Sequence, residues 1–273
     1  MNRNDYFQKI SEFGLMAKKE IGQNFLINPD VAERIVNELN LKKGENVLEI
    51  GFGAGSLTYF LAQSSAHVTG IDIDEALYIK TRDDFASHPN IEIVNGNAMR
   101  WDYSEYDKII GNLPYYITSG IIERALLSIK KATRCVFMVQ KEALDRLLAK
   151  TGTKEYGPLA ILIALSGNAT KCFNVGRANF MPAPHVDSAV FKIDLFEERK
   201  GVHEVYEICQ KLFLQRRKTL ANNLKNYLHN ASEAAHILES LGIASNARPE
   251  DIEPKDYLSL CEAIKTSRIK ALL

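Results

Sequence analysis

The run Val47-Leu48-Glu49-Ile50-Gly51-Phe52-Gly53-Ala54-Gly55-Ser56-Leu57-Thr58 constrains the fold more than any other part of this 273-residue chain. An apolar stretch that breaks into three alternating glycines and resumes as an apolar helical pattern is a buried strand, a tight turn, and a helix entered through Ser56 or a neighbour. Strand-like runs near 47–50, 67–71, 91–94, 107–111 and 134–139 alternate with helical segments such as Ile121–Leu127. That alternation predicts an α/β protein with a mostly parallel, doubly wound sheet, because each parallel pair needs a crossover connection. Two later strands, near 170–175 and 188–195, bracket a Pro-rich loop at Phe180 and read as a hairpin completing the sheet. The Asn28-Pro29 pair predicts a helix start, with Val31, Ile35, Val36 and Leu39 at helical spacing behind it. From Glu197 onward the patterns are helical, punctuated at Gly201, Gly242, Pro249 and Pro254. The expected division is an N-terminal arm over 1–28, a sheet domain over 29–196 and an all-helical domain over 197–273.

The glycines let backbone pass close beneath a nucleotide-like ligand. Their spacing is G-x-G-x-G, which is neither the dinucleotide fingerprint nor a triphosphate loop. Glu49, at the end of the strand, puts a carboxylate beside the turn and suits a cationic, phosphate-free ligand better than a pyrophosphate. The next strand, His67–Ile71, ends at Asp72 and Asp74, about twenty residues after the glycines, where a carboxylate accepts from ribose hydroxyls. A third strand leads into Asn95-Gly96-Asn97-Ala98, where a polar side chain is placed to read an adenine. The four features in this order point to S-adenosylmethionine.

Gly111-Asn112-Leu113-Pro114-Tyr115-Tyr116 follows another strand-like run. Pro114 fixes its own φ and holds Leu113 extended, so the Leu113 carbonyl and the Asn112 amide form two set acceptors, and Tyr115 adds a stacking face. Two acceptors bind both protons of an exocyclic amine such as N6 of adenine and direct its lone pair toward an electrophile. Taken alone, the alternative reading is a tight βα turn with a buried aromatic. Tyr116 is assigned a structural role, because neighbours on an extended segment point to opposite sides. Phe180, an aromatic before a Pro-x-Pro segment, reads by itself as a loop anchor packed on the core.

Together with these motifs, Gln23-Asn24-Phe25-Leu26, Phe180-Met181-Pro182-Ala183-Pro184-His185-Val186-Asp187-Ser188 and Gln215-Arg216-Arg217-Lys218-Thr219-Leu220 give a chain that resembles, over nearly its whole length, the KsgA family of small-subunit rRNA adenine N6,N6-dimethyltransferases. The resemblance implies a class I, Rossmann-like S-adenosylmethionine methyltransferase sheet with a small helical C-terminal domain. It implies dimethylation of two adjacent adenines near the 3′ end of small-subunit (16S) rRNA. By position it makes Asn24, Leu26, Gly51, Gly53, Asp72, Asn97 and Asn112 cofactor-binding, with the N-terminal arm closing over the cofactor. Asn112, Leu113 and Tyr115 would hold the target base, with Phe180 on its other face, and Arg216, Arg217 and Lys218 would contact RNA. Family members usually carry Glu at Asp72, Asp at Asn97 and Lys at His185, so this chain has a shorter acid, an uncharged acceptor and one fewer fixed positive charge.

Composition bounds the class. Apolar residues make up 46% and charged ones 25%, which excludes disorder, and no apolar run approaches the roughly 18 residues a membrane span needs. Four scattered cysteines without C-x-x-C predict thiols in a reducing, cytoplasmic setting. No metal is expected, because methyl transfer from a sulfonium needs neither a Lewis acid nor an activated water. The zero net charge is unusual for an RNA binder, but between Arg199 and Lys225 seven Lys/Arg stand against two Glu. A run of this kind is otherwise a solvated helix face. The expected partner is the small ribosomal subunit, with the chain acting as a monomer and without a membrane. Two rivals are a 23S rRNA methyltransferase of the macrolide-resistance type and a non-catalytic small-subunit assembly factor.

Overall fold

In a computed structural model, residues 2–15 and 23–270 are described, with side chains to Ser267 at the C-terminal end. In chain order the elements are α1 (Arg3–Gly14), β1 (Phe25–Leu26), α2 (Pro29–Asn37), β2 (Asn46–Ile50), α3 (Ser56–Leu61), β3 (His67–Asp72), α4 (Glu75–Phe85), β4 (Ile91–Asn95) and β5 (Lys108–Asn112). They continue through α5 (Thr118–Ser128), β6 (Arg134–Gln140), α6 (Lys141–Leu147), α7 (Pro158–Ser166), β7 (Gly167–Val175), β8 (Phe180–Met181) and β9 (Ser188–Leu195). The last four are α8 (Val202–Leu212), α9 (Leu220–Leu228), α10 (Ala231–Ser240) and α11 (Pro254–Lys270).

The large sheet has the order β4-β3-β2-β5-β6-β9-β7, with β2 to β6 parallel and β9 antiparallel to β6. β5 and β6 are buried along nearly their whole length, and β6 accordingly reads as a continuous apolar run, Cys135–Val139, without alternation. α2 begins as its sequence predicts: the Asn28 side chain accepts from the N–H groups of Asp30 and Val31 at 3.0 and 3.3 Å, with Pro29 in the first turn. α3 does not begin on a side-chain cap. Gly55 precedes it in the left-handed conformation (φ 90°), and the Ser56 hydroxyl donates to the Leu26 carbonyl at 2.6 Å.

The chain forms two compact units: residues 1–144 with 168–197, and residues 145–167 with 198–273. The expected boundary at 196/197 therefore misses an excursion, since 145–167 leaves the sheet unit. α7 carries Ala160 and Ile161 into a helical core with Tyr156, Val205, Cys209, Leu220, Leu224, Tyr257 and Leu260. Within that unit the Tyr156 hydroxyl donates to the Ile252 carbonyl at 3.0 Å. At the other end of the sequence, the expected arm contains a packed helix: Tyr6, Phe7 and Ile10 of α1 are buried, and the Tyr6 ring stacks on Tyr59 with centroids 5.0 Å apart. Among the described residues no helix is long and apolar enough to cross a membrane.

Candidate active site

β2 sits where the strand order reverses. From it the chain winds out through β3 and β4, then returns to its other side as β5 and β6. The carboxyl ends of β2 and β5 thus flank a crevice, the place where open α/β sheets hold ligands. A cavity lies there, lined by Glu49, Gly51 and Gly53 at the end of β2, Asp72 at the end of β3, and Asn112, Leu113 and Tyr115 at the end of β5, with Asn24 and Leu26 on the N-terminal side.

The glycine turn and the acids form one construction. Gly51 and Gly53 have φ of 69° and 54°, a region side-chain-bearing residues rarely occupy. That path aims the Gly53 N–H at Asp72 Oδ2 (3.0 Å), while the Asp74 N–H donates to Asp72 Oδ1 (3.0 Å). Burial nevertheless raises the Asp72 pKa above its ordinary value, outweighing those two donors. Glu49 is 1% exposed and accepts from the Thr58 hydroxyl at 2.7 Å. Burial, reinforced by the nearby Asp72 charge, pushes its pKa up to about 8. Among the described residues, Glu49, Asp72 and Asp74 line this cavity and no Lys, Arg or His does. Such a wall repels phosphate and favours a cation with hydroxyl donors. The donor set therefore fits S-adenosylmethionine, whose sulfonium and amino group are positive and whose ribose is unphosphorylated.

The opposite wall comes from the turn after β5. The Leu113 N–H donates to the Met138 carbonyl (3.1 Å), extending the β5–β6 pairing one residue beyond the strand. The Pro114 carbonyl then accepts from the Ile117 N–H (3.2 Å) and the Thr118 hydroxyl (2.9 Å), which closes a turn into α5. Tyr115 is half-buried, with its hydroxyl 2.8 Å from that of Ser188, and burial raises its pKa. Tyr116 departs from the structural role assigned to it: it lines the cavity and is 70% exposed. Residues 114–117 form a turn, not an extended segment, so the alternation behind that expectation does not apply.

Two expected site residues are not brought into the cavity. Asn97 is exposed and does not line it. Its side-chain oxygen accepts from the Met99 N–H at 2.9 Å, the local turn that Asn favours. Phe180 is 2% exposed, belongs to the sheet unit's core cluster and offers no face to the cavity. It pairs through β8 with β1, in the register Leu26↔Phe180 and Phe25↔Met181. The loop-anchor reading of Phe180 thus describes its place.

That two-stranded ribbon also explains how Asn24 and Leu26 reach the cavity. The Ile27 N–H donates to the Asn179 carbonyl (2.9 Å), and the Gln23 side-chain amide donates to Asp74 (3.1 Å). The Tyr6 hydroxyl of α1 donates to the Ala54 carbonyl (3.1 Å), so the glycine turn is gripped from behind. Phe52, Leu57, Ile73 and Leu77 complete the apolar lining and were not singled out in the sequence; their signal is their position beside the glycines and acids. In the helical unit, Arg217 and Lys218 are exposed, whereas Arg216 lies 3.7 Å from Glu250. His185 is exposed.

A seven-stranded sheet with an antiparallel last strand inserted next to its edge, and an acidic, glycine-floored crevice at its switch point, defines a class I methyltransferase fold. Residues 14–266 match the family described as "Ribosomal RNA adenine dimethylase". A protein of Malacoplasma penetrans named "Ribosomal RNA small subunit methyltransferase A" is 34% identical over 268 residues, covering 94% of this chain and 96% of its own length. A dimethyladenosine transferase from Plasmodium falciparum, solved by crystallography, matches with a TM-score of 0.76 at 27% identity, over 88% of this chain and 96% of that one. The 23S rRNA methyltransferase ErmE has the same fold, with a TM-score of 0.66 at 24% identity over 89% and 100% of the two chains. The chain belongs to the ribosomal RNA adenine dimethylase family.

Proposed function

We propose that this protein transfers methyl groups from S-adenosylmethionine to N6 of two adjacent adenines near the 3′ end of small-subunit (16S) rRNA, giving N6,N6-dimethyladenine. The observation that carries this reading is a cavity whose lining, among the described residues, has three acidic side chains and no basic one and ends at the Asn112–Tyr115 turn. S-adenosylmethionine supplies an electrophilic methyl group on a positively charged sulfur. Asp72, already oriented by two backbone N–H groups, accepts from the ribose hydroxyls, and Glu49 balances the cationic end. The Asn112 side-chain oxygen and the Leu113 carbonyl accept the two N6 protons of the target, and the Tyr115 ring stacks on its base. Catalysis comes from positioning, exclusion of water and fixed acceptors, and no residue acts as a strong general base. The methylated aminium is acidic enough to release its proton to water.

The name of the Malacoplasma penetrans relative supports the small-subunit substrate over large-subunit RNA. The same reading puts the protein in the cytoplasm, working as a single chain with Arg217 and Lys218 toward RNA. The test is Asn112→Ala, assayed on undermethylated small subunits. Loss of an acceptor aimed at the reacting centre lowers turnover roughly 100-fold or more. Mass spectrometry of rRNA from cells carrying only the variant then shows unmethylated adenines. Wild-type turnover would overturn the reading.

A further inference from the structure

We propose that Tyr116 is a second stacking platform, outside the clamp, for a base that flanks the target adenine in single-stranded RNA. The inference rests on the function proposed above and deepens it by assigning a residue to the neighbouring nucleotide. Two consecutive tyrosines have opposite environments here. Tyr115 is half-buried with its hydroxyl committed to Ser188, whereas Tyr116 is 70% exposed and still lines the same cavity, which places it at the mouth. Among the described aromatic residues, Phe196 is the other large exposed ring, and it lies beyond β9, away from the cavity lining. A ring this exposed contributes little to the core, so packing does not account for it.

The backbone beneath Tyr116 is stiff. Pro114 fixes one torsion, its carbonyl takes two hydrogen bonds, and α5 starts two residues after Tyr116. A tyrosine on such a support has only two side-chain torsions to order when a base lands on it, so the entropic cost of stacking is small. The chemistry of the mouth also selects stacking over charge. The cavity wall has three carboxylates and no basic side chain among the described residues, so phosphates gain no hold there. A base extruded into the clamp leaves its neighbour with an uncovered face, and an aromatic platform at the mouth offsets that loss without reading sequence.

The experiment compares Tyr116→Ala, Tyr116→Leu and Tyr116→Phe on undermethylated small subunits, with calorimetric S-adenosylmethionine binding and thermal midpoints measured in parallel. Tyr116→Ala is expected to lower kcat/KM for the particle by about 5- to 150-fold, mostly through KM. That range corresponds to roughly 1–3 kcal/mol at tenfold per 1.4 kcal/mol. Tyr116→Phe restores most of the loss because it keeps the ring, and Tyr116→Leu does not. Cofactor affinity and thermal midpoint stay with the wild type in all three. The proposal is overturned if Tyr116→Ala retains full kcat/KM, if Leu serves as well as Phe, or if cofactor affinity falls in step with RNA affinity. The Asn112→Ala control separates the two levels. An inactive Asn112→Ala beside a fully active Tyr116→Ala sinks only the platform, whereas an active Asn112→Ala sinks the methyltransfer reading itself.

Discussion

Glu49→Gln tests whether the acidic wall was built for a cation. The wild-type carboxyl is 1% exposed and has the Thr58 hydroxyl as a donor, and burial pushes its pKa from the usual 4.5 up to about 8. A folded-state pKa above the unfolded one means that the folded protein holds its proton more tightly. The resulting stability is fully present below the unfolded pKa and is lost as pH rises through the folded value. Each unit of displacement is worth 1.36 kcal/mol, so wild-type stability relative to Glu49→Gln should fall by about 3 kcal/mol between roughly pH 5.5 and 8. Urea unfolding of both proteins across that range reads the difference directly. The same geometry links the cofactor to a proton: a positive ligand beside Glu49 lowers its pKa, so binding near pH 7 releases a proton. Calorimetry in two buffers of different ionisation enthalpy detects that release, and Glu49→Gln abolishes it. If the stability gap between the two proteins is flat with pH and no proton leaves on binding, Glu49 is not the neutral, cation-ready carboxyl inferred here.

Gly55→Ala should destabilise the sheet unit by about 2–4 kcal/mol, seen as a lower urea midpoint, because φ is 90° and an added Cβ lies 2.9 Å from the Phe85 ring and against the Tyr6 hydroxyl. An unchanged midpoint would mean that α1 does not grip the turn as described. Tyr115→Phe strands the fully buried Ser188 hydroxyl and should cost about 1–3 kcal/mol of stability in the same assay. Because the ring face remains, turnover on small subunits should stay within about threefold; a far larger loss would show that the hydroxyl acts on substrate.

The βα alternation, the glycine turn and the Asn28 cap could be read directly, because each is written in residues a few positions apart. β9 occupies 188–195, the range its pattern predicts, and β2 to β6 fall within a residue of theirs. Asp72 and the Asn112 turn reach the cavity because strand ends in a parallel sheet share one edge. The differences also have local causes. Asn97 sits where the cofactor's adenine was expected to be read, yet its own backbone two residues on is a nearer donor, and it bonds there. Tyr116 sits in a turn that starts at Pro114, where the alternation of extended chains does not hold. Segment 145–167 was placed with the sheet because α7, Pro158–Ser166, is apolar on every side and has no polar face to say which core receives it.

By itself, the order of residues settled what each stretch becomes and which chemical groups stand at strand ends, since propensity, capping and periodicity act between near neighbours in the chain. Pairings between distant segments were decided only in the folded molecule. Leu26 beside Phe180, Tyr6 against Ala54 and Ser188 under Tyr115 each join parts of the chain with no local signal for one another. Burial was decided there too: Glu49 is an ordinary acid in the sequence, and its pKa is raised because the sheet and α3 remove it from water.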